Sequence, residues 1–452
     1  MTKIPDNGKM SKNALIIFTR EPVPGKTKTR LMPYLSPQQC ADLHLCFLRD
    51  IYREAYKTGV DIIVSYDGEE PVLLKSVFGN GCRYIRQQGD GLGTRMALAI
   101  GFALDLGYEK AVLIGTDIPE IRADSLADAF KILDEDDLVI GPTEDGGYYL
   151  IGMKKLYNEA FNVRKYGGSS VLNETLQGLK DCGISAGLAD AYQDMDERED
   201  LAGYRRRMIH DIRLRNSHTG IFLRDNAAVS IIIPVYNEAS TIRRMISQME
   251  PYKDDAEILF VDGGSTDGTA GIIEEVFPVL TGTKGRAAQM NRGAAESTGD
   301  ILLFLHCDSI LPPDITGEVR RCMAGHEYGC FGVRFPSRNL FMFTNRVISN
   351  HRAWMRGLPF GDQGIFISRE LFFDMGGFPE IPIMEDYEFG RKLKAAGIRP
   401  GRTEKRITTS ARRYGKGTLS ILRTEFSMWK LRKMYRNGMP AEEVSRRYRD
   451  IR

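Results

Sequence analysis

The sequence predicts an α/β protein with two domains in tandem, each a mainly parallel mixed sheet flanked by helices. Three observations lead to this prediction. The chain has 452 residues, which is too long for one ordinary hydrophobic core and suits two domains of roughly 200 residues each. Apolar strand-like runs alternate with helical segments along the chain, as in parallel sheets joined by crossover helices. Each half also opens in the same way, with an apolar strand followed by a polar loop and a helix.

The first domain is predicted over residues 13–205. It opens with the apolar run Ala14–Thr19 and a loop rich in proline, glycine, lysine and arginine. Ser36, Pro37 and Gln39 then have the spacing of a helix start, with serine as the cap, proline at the first position and glutamine at the third. Further strands are predicted at 61–65, 110–115 and 138–141.

The second domain is predicted over residues 228–452, after a charged linker at 206–227. Val229–Glu238 predicts a strand that runs into a loop, and Glu257–Asp262 predicts a second strand that ends in a glycine-rich turn. Asp300–Asp308 predicts a third. The two halves therefore have the same plan.

An aspartate follows a buried-looking strand in each half, at Asp117 and at Asp308. Ligands of open α/β sheets bind at the carboxyl ends of the strands. An aspartate there can hold Mg²⁺ or Mn²⁺, and the ion can bind a pyrophosphate. A single such aspartate is as often a helix cap or a turn residue. Its recurrence in both halves favours metal sites in a duplicated nucleotide-binding fold.

Composition excludes several classes of protein. The formal net charge is only +2, so overall charge does not indicate a nucleic-acid partner. The seven cysteines show no paired zinc-type spacing, and the polar start of the chain lacks the apolar core of a signal peptide. No run approaches the length of about 18 apolar residues needed to span a bilayer. These features predict a cytoplasmic protein, at most peripheral to the inner face of the membrane.

The ordered motifs VSIIIPVYNE, VDGGSTDGT, FLHCD and MEDYEFGRKLKAAG resemble those of family-2 glycosyltransferases with the GT-A fold. GRAAQMNRGA and GDQGIF are similar to one subgroup, the second of two transferase families associated with radical-SAM and selenodomain proteins. The resemblance implies an inverting, metal-dependent transfer of a sugar from a nucleotide-diphosphate sugar. It also implies Rossmann-like nucleotide-diphospho-sugar transferase domains of GT-A type. Because no Gln-x-x-Arg-Trp motif is present, single transfer is favoured over polymerisation.

The residues expected to bind the nucleotide sugar follow the strands of this half. They are Pro234, Tyr236, Glu238, Asp262, Lys284, Arg286, Gln289, His306 and Asp308. A glycine turn with two cations before a helix, as at Lys284–Arg286, suits a phosphate, or it is simply a solvated basic loop. Asp262 either accepts hydrogen bonds from the base or ribose, or it only shapes its turn.

His306 stands where the family usually has the first acid of Asp-x-Asp, and Asp308 matches the acid that binds metal. Histidine binds Mn²⁺ more readily than Mg²⁺, so His306 is expected to contact ribose or to orient Asp308. By resemblance, Asp386 is the general base, with Glu385 as the fallback. An N-terminal helix-capping role for Asp386 is the alternative. Asp362 and Gln363 are expected on the acceptor side.

In the first half, FTREPVPGKTKTRL, QGDGLGTRM, GTDIP, GPTEDGGYYLIG and DMDEREDL resemble the first of the same two transferase families. That family is similar to nucleotidyltransferases of the molybdenum-cofactor and coenzyme-F420 type. Arg20, Lys26 and Arg30 are expected to hold a nucleotide, and Asp145 to shape the pocket. Asp117 and Asp196 are the expected metal ligands. The alternative is a degenerate domain that keeps only the fold.

The segment Leu419–Gly438 places apolar and aromatic residues among lysines and arginines at near-helical spacing. A basic amphipathic helix of this kind can lie on an anionic membrane, which would suit a lipid-linked acceptor. The alternative is a helix that packs its apolar side on the domain.

The leading hypothesis is a metal-dependent glycosyltransferase fused to a domain that makes or binds its activated donor. Its partners would be a nucleotide-diphosphate sugar and a small-molecule or lipid-linked acceptor, with no nucleic acid. One alternative is a chain that mainly transfers nucleotidyl groups. Another is a nucleotide-sugar binding or scaffolding protein with one or both halves inactive.

Overall fold

The computed structural model describes residues 11–163, 166–335, 340–409 and 418–449. The chain divides into two compact units. The first unit contains the described residues up to Tyr204 together with Asn216–Phe222, and the second contains Arg205–Arg215 and the described residues from Leu223 onward.

The first unit is built on one sheet, with helices between its strands. Its strands are β1 (Asn13–Arg20), β2 (Asp61–Asp67), β3 (Arg83–Arg86), β4 (Lys110–Ile114), β5 (Leu138–Pro142), β6 (Tyr148–Met153) and β7 (Ala186–Leu188). The helices are α1 (Pro37–Lys57), α2 (Val72–Phe78), α3 (Leu92–Asp105), α4 (Ala123–Glu135) and α5 (Val171–Asp181). At the start of α1, the Gln39 N–H donates to Ser36 Oγ over 3.2 Å and the Ser36 N–H donates to Gln39 Oε1 over 2.9 Å, which confirms the predicted cap.

The second unit repeats this arrangement. Its strands are β8 (Val229–Val235), β9 (Ala256–Asp262), β10 (Val279–Thr281), β11 (Ile301–Phe304), β12 (Tyr328–Arg334), β13 (Ile365–Ser368) and β14 (Gly401–Thr408). Between β7 and β8 come α6 (Arg198–His210), α7 (Ile212–Arg215) and α8 (His218–Asp225), of which α6 and α8 each have residues in both units. The helices that follow are α9 (Ile242–Met249), α10 (Thr269–Glu274), α11 (Arg286–Glu296), α12 (Ile315–Met323), α13 (Leu340–Arg356), α14 (Arg369–Asp374), α15 (Glu385–Ala395), α16 (Thr418–Arg436) and α17 (Ala441–Arg449).

The two sheets have the same strand order. The first runs β3-β2-β1-β4-β6-β5-β7 and the second runs β10-β9-β8-β11-β13-β12-β14. In each sheet one strand, β6 or β13, is antiparallel to both of its neighbours, and the other pairings are parallel. The prediction of two tandem α/β domains with mainly parallel mixed sheets is confirmed.

Apolar side chains cover both faces of each sheet. In β1 the run Ala14–Ile17 is fully buried, and in β8 so is Ile231–Ile233. Alternate residues of β1 contribute to different core clusters, as do those of β8. Strands buried on both faces read as continuous apolar runs, which is why they are visible in the sequence.

The segment predicted as a linker, 206–227, is helical over most of its length, because α6, α7 and α8 occupy it. Its apolar residues Met208, Leu214 and Leu223 are buried. In the sequence they are spaced out by arginines, so the segment reads as solvated. Among the described residues, no helix is long and apolar enough to cross a membrane.

Candidate functional site

A cavity of about 650 Å³ opens at the carboxyl ends of β1 and β4 in the first unit. Four of the residues predicted to bind nucleotide or metal line it: Arg20, Arg30, Asp117 and Asp196. The two carboxylates come from the middle and the end of this half of the sequence, and the sheet topology brings them together. The position of these groups is the one that parallel-sheet nucleotide sites use.

The ammonium of Lys28 lies between the two predicted metal ligands. Its Nζ is 2.5 Å from Asp117 Oδ1 and 3.0 Å from Asp196 Oδ1, and it donates to the Met195 carbonyl over 2.7 Å. The Lys28 side chain is only 3% exposed and lies 4.9 Å from the centroid of the Phe47 ring. All three ammonium protons therefore have acceptors within the protein.

The charges around Lys28 shift each other's pKa values. Burial by itself would lower the pKa of Lys28, but Asp117 and Asp196 outweigh burial and raise it. Burial would likewise raise the pKa of Asp117, whereas Lys28 brings it below its ordinary value. The buried His44, 3.2 Å from the Thr19 hydroxyl, has its pKa lowered to about 4 by burial and then by the charge of Lys28. The site thus holds fixed charges around a neutral imidazole.

A further carboxylate, Asp194, stands near this group. Its pKa is raised to about 6 by burial and then by the charges of Asp145 and Asp196. Within the described ranges, no group of three or more His, Cys, Asp or Glu side chains is arranged to hold a metal ion. The pair Asp117 and Asp196 still supplies the oxygen donors that Mg²⁺ prefers.

Two predicted residues of the first unit lie outside the cavity lining. The Lys26 side chain is exposed, and its backbone carbonyl accepts from Arg20 Nη1 over 3.3 Å. Asp145 closes its own turn, because its Oδ1 accepts from the Gly147 N–H over 3.0 Å and from the Thr143 hydroxyl over 2.5 Å. Asp145 therefore shapes the loop after β5.

In each unit, one glutamine side chain donates hydrogen bonds to the ends of the first two strands. In the first unit, Gln87 Nε2 donates to the carbonyls of Thr19 and Ser65 over 2.9 and 3.1 Å. In the second unit, Gln289 Nε2 donates to the carbonyls of Val235 and Val261, both over 2.7 Å. Gln289 was predicted to bind the donor, and its amide nitrogen is engaged by the backbone.

The loops after β8 and β9 are joined by hydrogen bonds. The Asn237 N–H donates to Ser265 Oγ over 2.8 Å, and the Glu238 N–H donates to Thr269 Oγ1 over the same distance. Pro234 lies at the end of β8 beside Val261. These contacts fix the loop in which the donor base and ribose were predicted to bind.

Asp262 and the Tyr236–Lys284 pair lie along the same edge of the sheet. Asp262 Oδ2 accepts from the N–H groups of Gly264 and Ser265, over 2.9 and 2.8 Å, so this carboxylate shapes its own turn. Lys284 Nζ lies 2.9 Å from Tyr236 Oη and 4.1 Å from the centroid of that ring. The cation and the ring, distant in sequence, are thus in contact.

A second cavity, of about 270 Å³, lies at the start of α15. Five predicted residues line it together: Arg286, His306, Asp362, Glu385 and Asp386. The C-terminal helices also contribute to its lining, with Met428 and Arg432 from α16 and Ser445 and Tyr448 from α17. The donor-side and acceptor-side residues of the prediction therefore meet in one place.

The Asp386 carboxylate is held by two backbone N–H groups. Its Oδ2 accepts from Gly361 over 2.6 Å and its Oδ1 accepts from Tyr387 over 2.7 Å. A Cβ atom at Gly361 would lie 2.7 Å from His306 Nε2 and 3.5 Å from Asp386 Oδ2. Glycine is therefore required at this position, because any side chain would collide with the imidazole.

Glu385 is buried and pairs with Arg286, whose Nη1 lies 3.2 Å from Glu385 Oε1. Burial raises the pKa of Glu385, Arg286 opposes that shift, and Asp386 adds to it. Met384, the residue before this pair, has a left-handed backbone with φ of 73°. Such a conformation is uncommon for a residue with a side chain, and it directs the chain into α15.

Asp308 lies in the turn after β11 and is not among the residues that line this cavity. Its backbone carbonyl accepts from Arg244 Nη2 over 3.1 Å. Gln363 of the predicted acceptor side is fully buried, and its Oε1 accepts from the Phe360 N–H over 3.1 Å and from Arg352 over 3.3 Å. Gln363 therefore supports the loop, and Asp362 is the member of that pair that reaches the cavity.

Sequence reasoning missed Lys28, His44, Gln87, Arg432 and Tyr448. Lys28 lies in the quoted GKTKTRL loop between two predicted cations, so its basic character was the available signal. Arg432 belongs to the basic segment Leu419–Gly438, which stands out in the sequence for its near-helical spacing. His44, Gln87 and Tyr448 carry no local signal, because their positions depend on which helix or strand packs beside the site.

Two protein-family models match separate parts of the chain. Residues 51–168 match the family described as "Uncharacterized protein conserved in bacteria (DUF2064)". Residues 230–379 match "Glycosyl transferase family 2". The residues from α15 onward, with Asp386, lie beyond the second match.

Two relatives are each similar to part of the chain. The undecaprenyl-phosphate 4-deoxy-4-formamido-L-arabinose transferase of Proteus mirabilis (strain HI4320) is 27% identical over 157 residues, which are 31% of this chain and 47% of that protein. The 2-phospho-L-lactate guanylyltransferase of Methanocaldococcus infernus is 27% identical over 177 residues, which are 38% of this chain and 76% of that protein. This chain therefore spans less than half of the arabinose transferase.

Among solved structures, a candidate nucleotide-diphospho-sugar transferase from Desulfovibrio desulfuricans G20 is 31% identical to this chain. The similarity covers 48% of this chain and 96% of that one, with a TM-score of 0.46.

Proposed function

We propose that this chain moves a sugar from a nucleotide-diphosphate sugar to an acceptor. The premise is that the chain joins a DUF2064 domain to a glycosyl transferase family 2 domain. The transfer would take place in the second unit, at the cavity beside Asp386. The first unit would bind or make the activated donor. The undecaprenyl-phosphate relative is a sugar transferase and the guanylyltransferase relative transfers a nucleotidyl group, which supports this division of roles.

The observation that carries the proposal is the orientation of Asp386. Two backbone N–H groups fix its carboxylate beside His306, at the edge of a cavity that also contains Arg286. A general base must be held in place within reach of the proton that it removes. This carboxylate is so held, and it faces a space large enough for an acceptor group.

The proposed reaction is a single displacement. The acceptor hydroxyl oxygen attacks the anomeric carbon, and its proton passes to the Asp386 carboxylate. The bond from that carbon to the diphosphate oxygen breaks, and the nucleoside diphosphate leaves with the electron pair. Attack from the face opposite the leaving group would invert the configuration at the anomeric carbon. Glu385 is tied to Arg286, so it is better suited to hold that cation near the phosphates.

A divalent cation fits the residues of the second unit at Asp308. This carboxylate stands at the carboxyl end of β11, and no hydrogen bond or ion pair to it is found within the described ranges. Mg²⁺ and Mn²⁺ are often held by one or two carboxylates together with substrate phosphates. When bound, such a cation would neutralise the charge that develops on the leaving diphosphate. His306, an imidazole, favours Mn²⁺ over Mg²⁺.

The acceptor is proposed to be a small molecule or a lipid-linked group, and the basic helix α16 would bring the protein to the membrane in the second case. Met428 and Arg432 of α16 line the cavity beside Asp386. An apolar and a cationic side chain at that wall suit an acceptor that has both an apolar part and an anionic group.

For the first unit, nucleotidyl transfer is supported by the cavity around Lys28. Arg20 and Arg30 are at its wall and the Asp117–Asp196 pair is beside them. Arginines bind phosphates and the paired carboxylates suit a divalent cation. Release of pyrophosphate from a nucleoside triphosphate, lost in Asp117→Ala, would establish this activity.

A thermal screen tests the proposal for the second unit. The whole chain would be heated with UDP and GDP sugars in the presence of Mn²⁺ or Mg²⁺. A ligand at about 100 times its dissociation constant adds about 2.7 kcal/mol to the stability of the folded state, so at least one sugar nucleotide should raise the melting temperature. Asp308→Ala should lose the effect, and Asp254→Ala, at an exposed position, should keep it. If no nucleotide or nucleotide sugar protects the protein, the proposal is wrong.

A further inference from the structure

Helices α13 and α16 contact each other and carry a group of exposed apolar side chains. On α13, Phe343, Val347 and Ile348 are 51%, 50% and 57% exposed, and on α16, Phe426 and Trp429 are 64% and 46% exposed. The helical spacing places Phe343 and Val347 on one face of α13. Single exposed apolar residues are ordinary, but a group of this kind marks a surface that another phase or molecule covers.

Basic side chains are interleaved with these apolar ones. Arg346 lies 4.6 Å from the centroid of the Phe343 ring, and Lys433 lies 5.2 Å from that of Trp429. The sequence of α13 has three arginines and no acid, and that of α16 has five basic residues and one acid. Of these, Arg352 donates to Gln363 and Arg432 lines the cavity beside Asp386, and the others remain for the surface. A helix surface of this composition is complementary to an anionic lipid–water interface, where aromatic rings enter the boundary and cations meet headgroups.

A cavity of about 530 Å³ adjoins Arg346. Besides Arg346, its wall contains Arg334, Lys405 and Arg406, with Glu404 as the acid. Lys405 Nζ is fixed on the Pro313 carbonyl over 3.0 Å. Arginines in such a cluster suit the oxygens of a phosphate group. The cavity is in the same unit as α13 and shares Arg346 with its exposed surface.

We propose that α13 and α16 form a docking surface for an anionic bilayer, and that the cavity at Arg346 takes the phosphate headgroup of an anionic lipid. This inference rests on the proposed function, because it explains how a lipid-linked acceptor would reach the reaction site. Because Met428 and Arg432 of α16 line the cavity beside Asp386, docking would bring the reaction site next to the lipid surface.

Trp429 provides a direct probe. The chain has two tryptophans, so Trp354→Phe leaves Trp429 as the only one. The whole chain would be mixed with vesicles of phosphatidylcholine alone or of phosphatidylcholine with phosphatidylglycerol. We expect the emission of Trp429 to shift to shorter wavelength, and the protein to float with the vesicles, only when phosphatidylglycerol is present. Equal binding to both kinds of vesicle, or no binding to either, overturns the proposal.

Matched variants separate the apolar and the ionic contributions in the flotation assay. Phe343→Ser with Phe426→Ser should release the protein from the vesicles, whereas Val72→Ser, which is 68% exposed in the other unit, should not. Arg346→Gln and Arg406→Gln should each lower vesicle affinity about fivefold, since a basic residue near an anionic surface contributes about 1 kcal/mol. Arg49→Gln, exposed on α1, is the control.

Two other outcomes would contradict the docking surface. If double-stranded DNA or inorganic phosphate binds at these arginines while the serine variants still float, the surface recognises polyanions or free phosphate. Thermal protection by nucleotide sugars is measured without vesicles, so its loss and the loss of flotation are independent. Protection without flotation overturns only the docking surface, and flotation without protection overturns only the proposed transfer.

Discussion

The two units share a strand order but arrange charge differently at the same edge of the sheet. In the first, the Lys28 ammonium lies between Asp117 and Asp196. In the second, Arg286 is paired with Glu385, and Asp308 is not among the residues that line their cavity. The sheet topology determines where ligands can approach, and the loops determine which charges meet them. The repeated fold therefore presents two different arrangements of charge.

In both units, a glutamine amide joins the first two strands by hydrogen bonds. Gln87 and Gln289 each donate to one carbonyl at the end of either strand. Buried carbonyls that lack a partner are costly. The shared glutamine thus stabilises the sheet edge on which both sites are built.

The largest expected effect separates the two sites by function. Asp386→Asn keeps an oxygen that can accept the Gly361 N–H but cannot take a proton, so sugar transfer should fall by about 10² to 10⁴-fold. Asp117→Ala should leave it unchanged. The measurement is the initial rate of nucleoside diphosphate release from the donor. Asp374→Asn, exposed on α14, is the control, and full activity in Asp386→Asn would remove the base from the mechanism.

The next effect concerns stability. Lys28→Met removes the ammonium and leaves two carboxylates facing each other. Loss of one partner of a buried pair costs about 3–5 kcal/mol, but the Asp117 side chain is 50% exposed, so we expect about 2 kcal/mol after solvent screening.

Urea unfolding of the whole chain measures this cost. Both tryptophans, Trp354 and Trp429, lie in the second unit. The loss should therefore appear in far-ultraviolet circular dichroism and not in tryptophan fluorescence. Lys180→Met, exposed on α5, should change neither. An unchanged dichroism transition in Lys28→Met would show that the ammonium does not stabilise the first unit.

The glutamine pair provides a smaller and more symmetrical comparison. Gln87→Ala and Gln289→Ala each remove the side-chain donor from two strand-end carbonyls, which costs about 1–2 kcal/mol. The Val235 carbonyl still accepts from the Gly263 N–H over 3.0 Å. Gln289 is only 4% exposed, whereas Gln87 is partly exposed. Water can therefore replace the lost hydrogen bonds less well in Gln289→Ala than in Gln87→Ala. The fluorescence transition should move in Gln289→Ala and stay in place in Gln87→Ala. Equal shifts in fluorescence would contradict this assignment of each glutamine to its own sheet.

The smallest effect is a pH dependence in the first unit. The folded-state pKa of His44 is about 4, below the ordinary value of 6.5, so the unfolded state binds a proton first as the pH falls. The contribution of His44 to stability should therefore decrease with acidification, by about 0.7 kcal/mol between pH 7 and pH 6. Asp194, whose folded-state pKa is raised to about 6, binds a proton first in the folded state and opposes part of this loss. His44→Gln should flatten this dependence in the dichroism transition. A steeper dependence in the variant would assign the effect to another group.

The sequence predicted the α/β class and the tandem arrangement because buried parallel strands are long apolar runs. It also placed Arg286, His306, Glu385 and Asp386 among the site residues, since they belong to ordered motifs, and the fold gathers them at one cavity. It could not assign Gln289 or Gln363 to backbone carbonyls and N–H groups, because those partners lie on other strands and loops. The partners of Lys28, Asp117 and Asp196, could not be assigned for the same reason.

The sequence by itself determined the strands and the kinds of charged group at their ends. Only the tertiary structure decided which of those groups meet. Asp196 reaches Lys28 across 168 positions of the chain, and α16 and α17 reach the Asp386 cavity from beyond the family match. Local propensity acts over a few residues, whereas the geometry of a site depends on contacts between elements distant in sequence.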